Sequence, residues 1–126
     1  MEQKFYICDK CGKMVAIVKD TQAHLMCCGQ PMRELIPGTS DASVEKHLPV
    51  VEIVDNEVRV TVGSVKHPMT PEHYIEWISI QTNNGNQRKM LTPNQEPSCC
   101  FKICSNTEVE AVYAYCNLHS LLKTTK

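Results

Sequence analysis

Near the C-terminus, Cys116-Asn117-Leu118-His119 sets a thiol and an imidazole three residues apart. At that spacing one turn can offer sulfur and nitrogen to a single ion. Thiolate favours soft or borderline metals, and imidazole suits iron, copper and zinc. Three of the other four histidines, His47, His67 and His73, are placed to join the pair. They sit at strand edges or in loops beside turn residues, not inside apolar runs. Pro68 holds His67 extended, and Pro49 stiffens the chain after His47. Loops carried on a rigid scaffold are where ligands concentrate. One such histidine means little, but four with a C-x-x-H ending read as a metal site with mixed sulfur and nitrogen donors.

A second cluster lies at the other end of the chain, as Cys8-x-x-Cys11 and the adjacent pair Cys27-Cys28. Four thiolates suit one tetrahedral ion, with zinc and iron served equally well by four sulfurs. Neighbouring side chains on an extended strand point to opposite faces, so the backbone must bend at Cys27-Cys28 for both to reach one ion. Gly29, next in sequence, eases that bend. A thioredoxin-like dithiol is disfavoured because no βαβ pattern surrounds Cys8 and Cys11.

The elements that must hold these residues fall into two parts. Residues 1–36 carry too few large apolar side chains for a core, which makes this segment a metal-stapled module. Within it, residues 14–18 read as a strand and Cys28-Gly29-Gln30-Pro31 as a turn. Pro37-Gly38-Thr39-Ser40-Asp41 is a break. Residues 37–126 then carry strand signals over 50–54, 57–62, 74–80, 98–103 and 109–115, with Ile75, Trp77 and Ser79 predicted to share one face. Asp55-Asn56, Asn83-Asn84-Gly85-Asn86, Thr92-Pro93-Asn94 and Ser105-Asn106 separate them. Short strands at this spacing, with no long helix and no repeat, predict an antiparallel sandwich or barrel.

Composition limits the function classes. At 126 residues there is room for one domain, or for a small module plus one domain, and 42% hydrophobic with 21% charged residues is ordinary for a globular chain. A formal net charge of −1, from 13 basic and 14 acidic residues, argues against nucleic-acid binding. No apolar segment precedes the first cysteine motif, and no run approaches the ~18 residues a membrane span requires. These features predict a cytoplasmic protein, whose eight cysteines serve as metal ligands or free thiols rather than disulfides.

Together, Cys8-x-x-Cys11 with Cys27-Cys28, Glu45-Lys46-His47, His67-Pro68-Met69, Glu72-His73-Tyr74-Ile75-Glu76-Trp77 and Cys116-Asn117-Leu118-His119 resemble the desulfoferrodoxin family, the two-iron form of superoxide reductase. The resemblance runs over nearly the whole chain. It implies an all-β protein with a small desulforedoxin-like module (1–36) followed by an immunoglobulin-like antiparallel β-sandwich (37–126). It implies two iron ions. One would be held by Cys8, Cys11, Cys27 and Cys28; the other by His47, His67, His73 and His119, with Cys116 axial and a sixth position open. The implied reaction is one-electron reduction of superoxide to hydrogen peroxide, with a rubredoxin-like donor and a homodimer. Glu45 and Lys46 would lie by the open face, Glu45 as a sixth ligand to oxidised iron. Lys46 would attract the anion, two unit charges ~4 Å apart interacting by about 4 kcal/mol at intermediate dielectric.

His24 has no counterpart in this scheme and reads as a surface residue. Cys99, Cys100 and Cys104 also have none, and read as small buried hydrophobes. Ser120-Leu121-Leu122 stands where the family pattern leads one to expect a glycine and an aromatic. Two other readings remain from the residues themselves. One is a non-catalytic iron or zinc electron-transfer or binding module using only the N-terminal cysteines. The other is an oxygenase with two histidines and Glu45 or Glu72.

Overall fold

The structure, a computed structural model, describes residues 2–38 and 47–126. Glu45 and Lys46 lie outside the described residues. Contacts divide the chain into two compact units, Met1–Ile36 and Pro37–Lys126. Among the described residues there is no helix, so none is long and apolar enough to cross a membrane. The all-β expectation holds.

In the first unit, β1 (Phe5–Ile7) pairs antiparallel with β2 (Met14–Ala16) and β5 (Arg33–Glu34). β3 (Met26–Cys27) and β4 (Gln30–Pro31) form a separate hairpin. Phe5 and Leu35 are the buried large side chains of this first unit, and the Leu35 N–H donates to the Phe5 carbonyl at 2.9 Å.

The second unit is a sandwich of two antiparallel sheets. One has the order β10 (Ser98–Lys102), β7 (Glu57–Val62), β6 (Pro49–Val54). The other runs β12 (Ser120–Thr125), β11 (Val109–Cys116), β8 (Ile75–Thr82), β9 (Gly85–Met90). Val58, Val60, Val62 and Phe101 from the first sheet meet Ile75, Ile78, Ile80, Val112, Ala114 and Leu122 from the second. Each fully buried Val, Ile or Leu contributes about 1.5–3 kcal/mol, so this layer fixes the frame on which the loops are carried.

The period-two reading of β8 fails at one point. Cys116 pairs with Ile75 and Tyr115 with Trp77, which leaves Glu76 unpaired in a β-bulge. The extra residue reverses the alternation, so Ile75 joins Ile78 and Ile80 in the core. Trp77 instead takes the opposite face, stacked on Tyr115 with ring centroids 5.9 Å apart. Ile75 therefore does not share a face with Trp77 and Ser79. Bulges re-aim side chains next to functional sites, and this one adjoins Cys116.

β9 and β12 were not among the predicted strands. All six β9 residues are exposed, so no apolar alternation marks it. Gln87 donates to the Lys102 carbonyl at 2.8 Å, and Lys89 donates to the Cys100 carbonyl. Side chains from one sheet edge thus occupy backbone acceptors of the other, which covers an edge open to aggregation.

Two of the three extra cysteines depart from the buried expectation. Cys99 pairs with Val60 and packs against the core, where burial pushes its thiol up to about 11. Cys100 pairs with Arg59 on the outer face and is exposed, as is Cys104 in the turn that follows. Strand alternation turns two neighbouring cysteines to opposite sides.

Candidate metal centres

The sulfurs of Cys8, Cys11, Cys27 and Cys28 all lie within 4.8 Å of one another. Two different turns bring them there. After β1 the chain folds back, with the Gly12 N–H donating to the Cys8 carbonyl at 2.8 Å and the Cys11 N–H to the Cys8 sulfur at 3.5 Å. In the β3–β4 hairpin, Cys28 (φ 54°) and Gly29 (φ 75°) are both left-handed, as the two central residues of a type I′ turn must be. That is the bend adjacent ligands require. Cys11 and Cys27 sulfurs are 3.6 Å apart, and Cys27 and Cys28 sulfurs 3.9 Å. Metal–sulfur bonds of ~2.3 Å at a tetrahedral angle place sulfurs about 3.8 Å apart, so the residues fit a four-sulfur ion. Backbone N–H groups, that of Cys11 foremost, lower the Cys8 thiol to about 6. Crowding by Cys11 and Cys8 raises Cys27 to about 12 and lifts Cys28 also. A lone thiolate suppresses its neighbours until a cation neutralises all four.

The second cluster lies at one end of the sandwich. His47 precedes β6, His67 and His73 lie between β7 and β8, Cys116 closes β11, and His119 sits in the β11–β12 hairpin. Register explains the convergence: Pro49 pairs with Val62 and Ile75 with Cys116, so these strand ends share one end of the sandwich. The four imidazoles form a ring. Successive centroid distances are 5.2 Å (His47–His67), 4.7 Å (His67–His73), 5.0 Å (His73–His119) and 5.1 Å (His119–His47). Donor atoms of His67, His73, Cys116 and His119 lie within 4.8 Å of one another. Opposite ligands at ~2.3 Å from an ion stand about 4.6 Å apart, so these donors fit one coordination shell. His47 stands beside that group rather than in it. Glu72 is exposed and outside it.

Several backbone ties hold the loops. The His67 N–H donates to the Val62 carbonyl at 3.0 Å, and the Asn94 N–H to the Met69 carbonyl at 2.8 Å. The Ile75 N–H points at the Met69 sulfur, 3.4 Å away. Thr70 and His73 exchange backbone hydrogen bonds of 3.0 and 3.1 Å.

His67 Nδ1 lies 2.8 Å from the Pro68 carbonyl, an acceptor only, so Nδ1 carries the proton and Nε2 keeps its lone pair. Sequence reasoning missed this partner, because a backbone carbonyl leaves no residue signal. Nε2 of His67, Nε2 of His73 and Nδ1 of His47 are buried without a hydrogen-bond partner. Each orphan costs about 1–3 kcal/mol, and three in one ring mark a place for an ion. Burial, reinforced by neighbouring histidines, holds His67 and His73 below the ordinary imidazole value. That shift favours the neutral, coordinating form of these two rings. Burial also raises the Cys116 thiol, opposed by the backbone N–H groups of His119 and Leu118, with Glu76 adding to the rise. A cation reverses that balance in favour of thiolate.

Residues 39–125 match the family model described as desulfoferrodoxin, and residues 1–35 match desulfoferrodoxin, N-terminal domain. A desulfoferrodoxin homolog of Archaeoglobus fulgidus is 44% identical over 116 residues, 92% of this chain and 91% of that one. The superoxide reductase of Pyrococcus horikoshii is 34% identical, over 66% of this chain and 87% of its own. The crystal structure of the superoxide reductase from Treponema pallidum superposes with a TM-score of 0.85 at 34% identity, covering 98% of each chain.

Proposed function

Because the chain belongs to the desulfoferrodoxin family, we propose that it is a superoxide reductase whose histidine–cysteine centre carries out the reaction. The observation that carries this reading is the ring of four imidazoles over a buried Cys116, with three partnerless ring nitrogens. His47, His67, His73 and His119 together with Cys116 would hold an iron ion that reacts with a small anion. Cys8, Cys11, Cys27 and Cys28 would hold a second iron, closed to substrate. Bound ferrous iron supplies one electron to superoxide, which with two protons leaves as hydrogen peroxide.

The chain's own groups prepare that chemistry. The Pro68 carbonyl fixes the His67 tautomer and ring plane and increases its basicity. The N–H groups of Leu118 and His119 aim at the Cys116 sulfur and moderate its electron donation, a lever that tunes metal potentials. Lys46 draws the anion toward the open side. Glu45 would be a further ligand to the oxidised ion. A rubredoxin-like protein returns the electron, in the cytoplasm, and two chains associate as a homodimer. The convergence of the histidines with Cys116 favours this reading over a module using only the N-terminal cysteines, and the thiol disfavours a two-histidine-one-carboxylate oxygenase.

Protein reconstituted with ferrous salt and then oxidised should show a visible sulfur-to-iron charge-transfer band that Cys116→Ser removes. The colour of the four-cysteine centre should remain. A band unchanged in Cys116→Ser would refute coordination by this sulfur.

A further inference from the structure

Asn117 grips the backbone on both sides of His73. Its Oδ1 accepts from the Tyr74 N–H at 3.0 Å, and its Nδ2 donates to the Glu72 carbonyl at 2.9 Å. Its own N–H donates to the Tyr74 carbonyl at 3.3 Å. Both ends of the side-chain amide are therefore in use, one as acceptor and one as donor. Asp offers no donor in place of Nδ2, and Ala and Ser have no amide to offer.

The segment being gripped lies outside the sheet. Pairing of β8 with β11 begins at Ile75, and the Thr70–His73 bonds are internal to the loop. Asn117 is covalently next to Cys116 and two residues before His119, so it links three ligand-bearing positions through one rigid amide. We propose that Asn117 is a positioning residue, which sets His73 against Cys116 and His119 before an ion arrives. This inference rests on the reading that these residues hold a metal.

Two measurements test it. Cobalt(II) added to the apo chain reports the histidine–cysteine centre through its sulfur charge-transfer band, and the four-cysteine centre of the same molecule serves as the internal reference. Outer-shell partners are worth about 10–100-fold in metal affinity. Asn117→Ala and Asn117→Ser should lose that much at the histidine centre and nothing at the cysteine centre. Their metal-induced rise in melting temperature should shrink by more than the apo melting temperature falls. Variants that bind cobalt(II) with unchanged affinity would overturn the proposal, even if both melt lower.

The second measurement needs no variant. In the apo wild-type chain the Tyr74 N–H should be protected from hydrogen exchange; exchange at the rate of a free loop would also overturn it. If wild-type protein leaves the histidine centre empty while filling the cysteine centre, the underlying metal reading falls, and this inference with it.

Discussion

The two clusters meet the same requirement, donors held within 4.8 Å, by opposite means. The cysteine cluster takes all its ligands from residues 8–28, on one knuckle and one type I′ hairpin. Little apolar burial surrounds it, so the ion itself must supply much of the order. The histidine cluster draws on segments from His67 to His119, with His47 beside them, and only a packed sandwich with fixed register brings them together. Three of its ring nitrogens are buried without a hydrogen-bond partner. One cluster is tied by local turns, whereas the other is tied by the strand register of a packed core. A closed set of four sulfurs suits structure or electron storage. A set of nitrogen and sulfur donors carried on loops at one end of a rigid sandwich suits substrate.

The contrast breaks most sharply at Cys27. Cys27→Ser should release the N-terminal ion and unfold Met1–Ile36, because structural ions of this kind contribute about 10–16 kcal/mol of apparent binding energy. The sandwich should keep its own iron and its reaction when a small reductant is supplied. Loss of both centres together, seen by metal analysis, would show that they do not fold independently.

A smaller effect belongs to the open site alone. Lys46→Ala should slow the second-order reaction with superoxide by roughly tenfold at low salt and flatten its ionic-strength dependence. The absorption of the four-cysteine centre should not change. An unaltered rate and slope would remove Lys46 from the substrate's path.

The mildest effect separates the apo states. Burial holds His67 and His73 below the ordinary imidazole value of 6.5. As pH falls, the unfolded chain therefore takes up protons before the folded one does. The stabilisation is whole above about pH 6.5 and is lost as pH drops through the lower folded values. The apo sandwich should lose denaturant resistance gradually on acidification below that point. A midpoint that stays flat down to about pH 5 would mean that the rings are not buried as neutral groups.

Much of this was legible in the residues. Turn formers and short apolar runs gave the all-β class, and the Cys27-Cys28-Gly29 sequence required a bend that appears as left-handed Cys28. Other features had no local signal. β9 is exposed along its whole length and is held by pairing to β8, so hydrophobic alternation does not mark it. The bulge at Glu76 reverses the face assignment that a strict period of two predicts, because an unpaired residue is visible only once the partner strand is in place. Ser120 adopts φ 66° where a glycine was expected. Left-handed backbone costs an L-residue about 1–2 kcal/mol, so the hairpin after His119 holds a strained residue beside the site. The Pro68 carbonyl and the Asn117 amide act through backbone geometry that sequence spacing does not reveal.

The most direct test of the central claim is the ratio of hydrogen peroxide formed to superoxide consumed by the iron-loaded protein under a supplied reductant. Reduction at the histidine–cysteine centre predicts one peroxide per superoxide and no dioxygen. One peroxide for every two, with dioxygen released, would mean dismutation and would contradict the account.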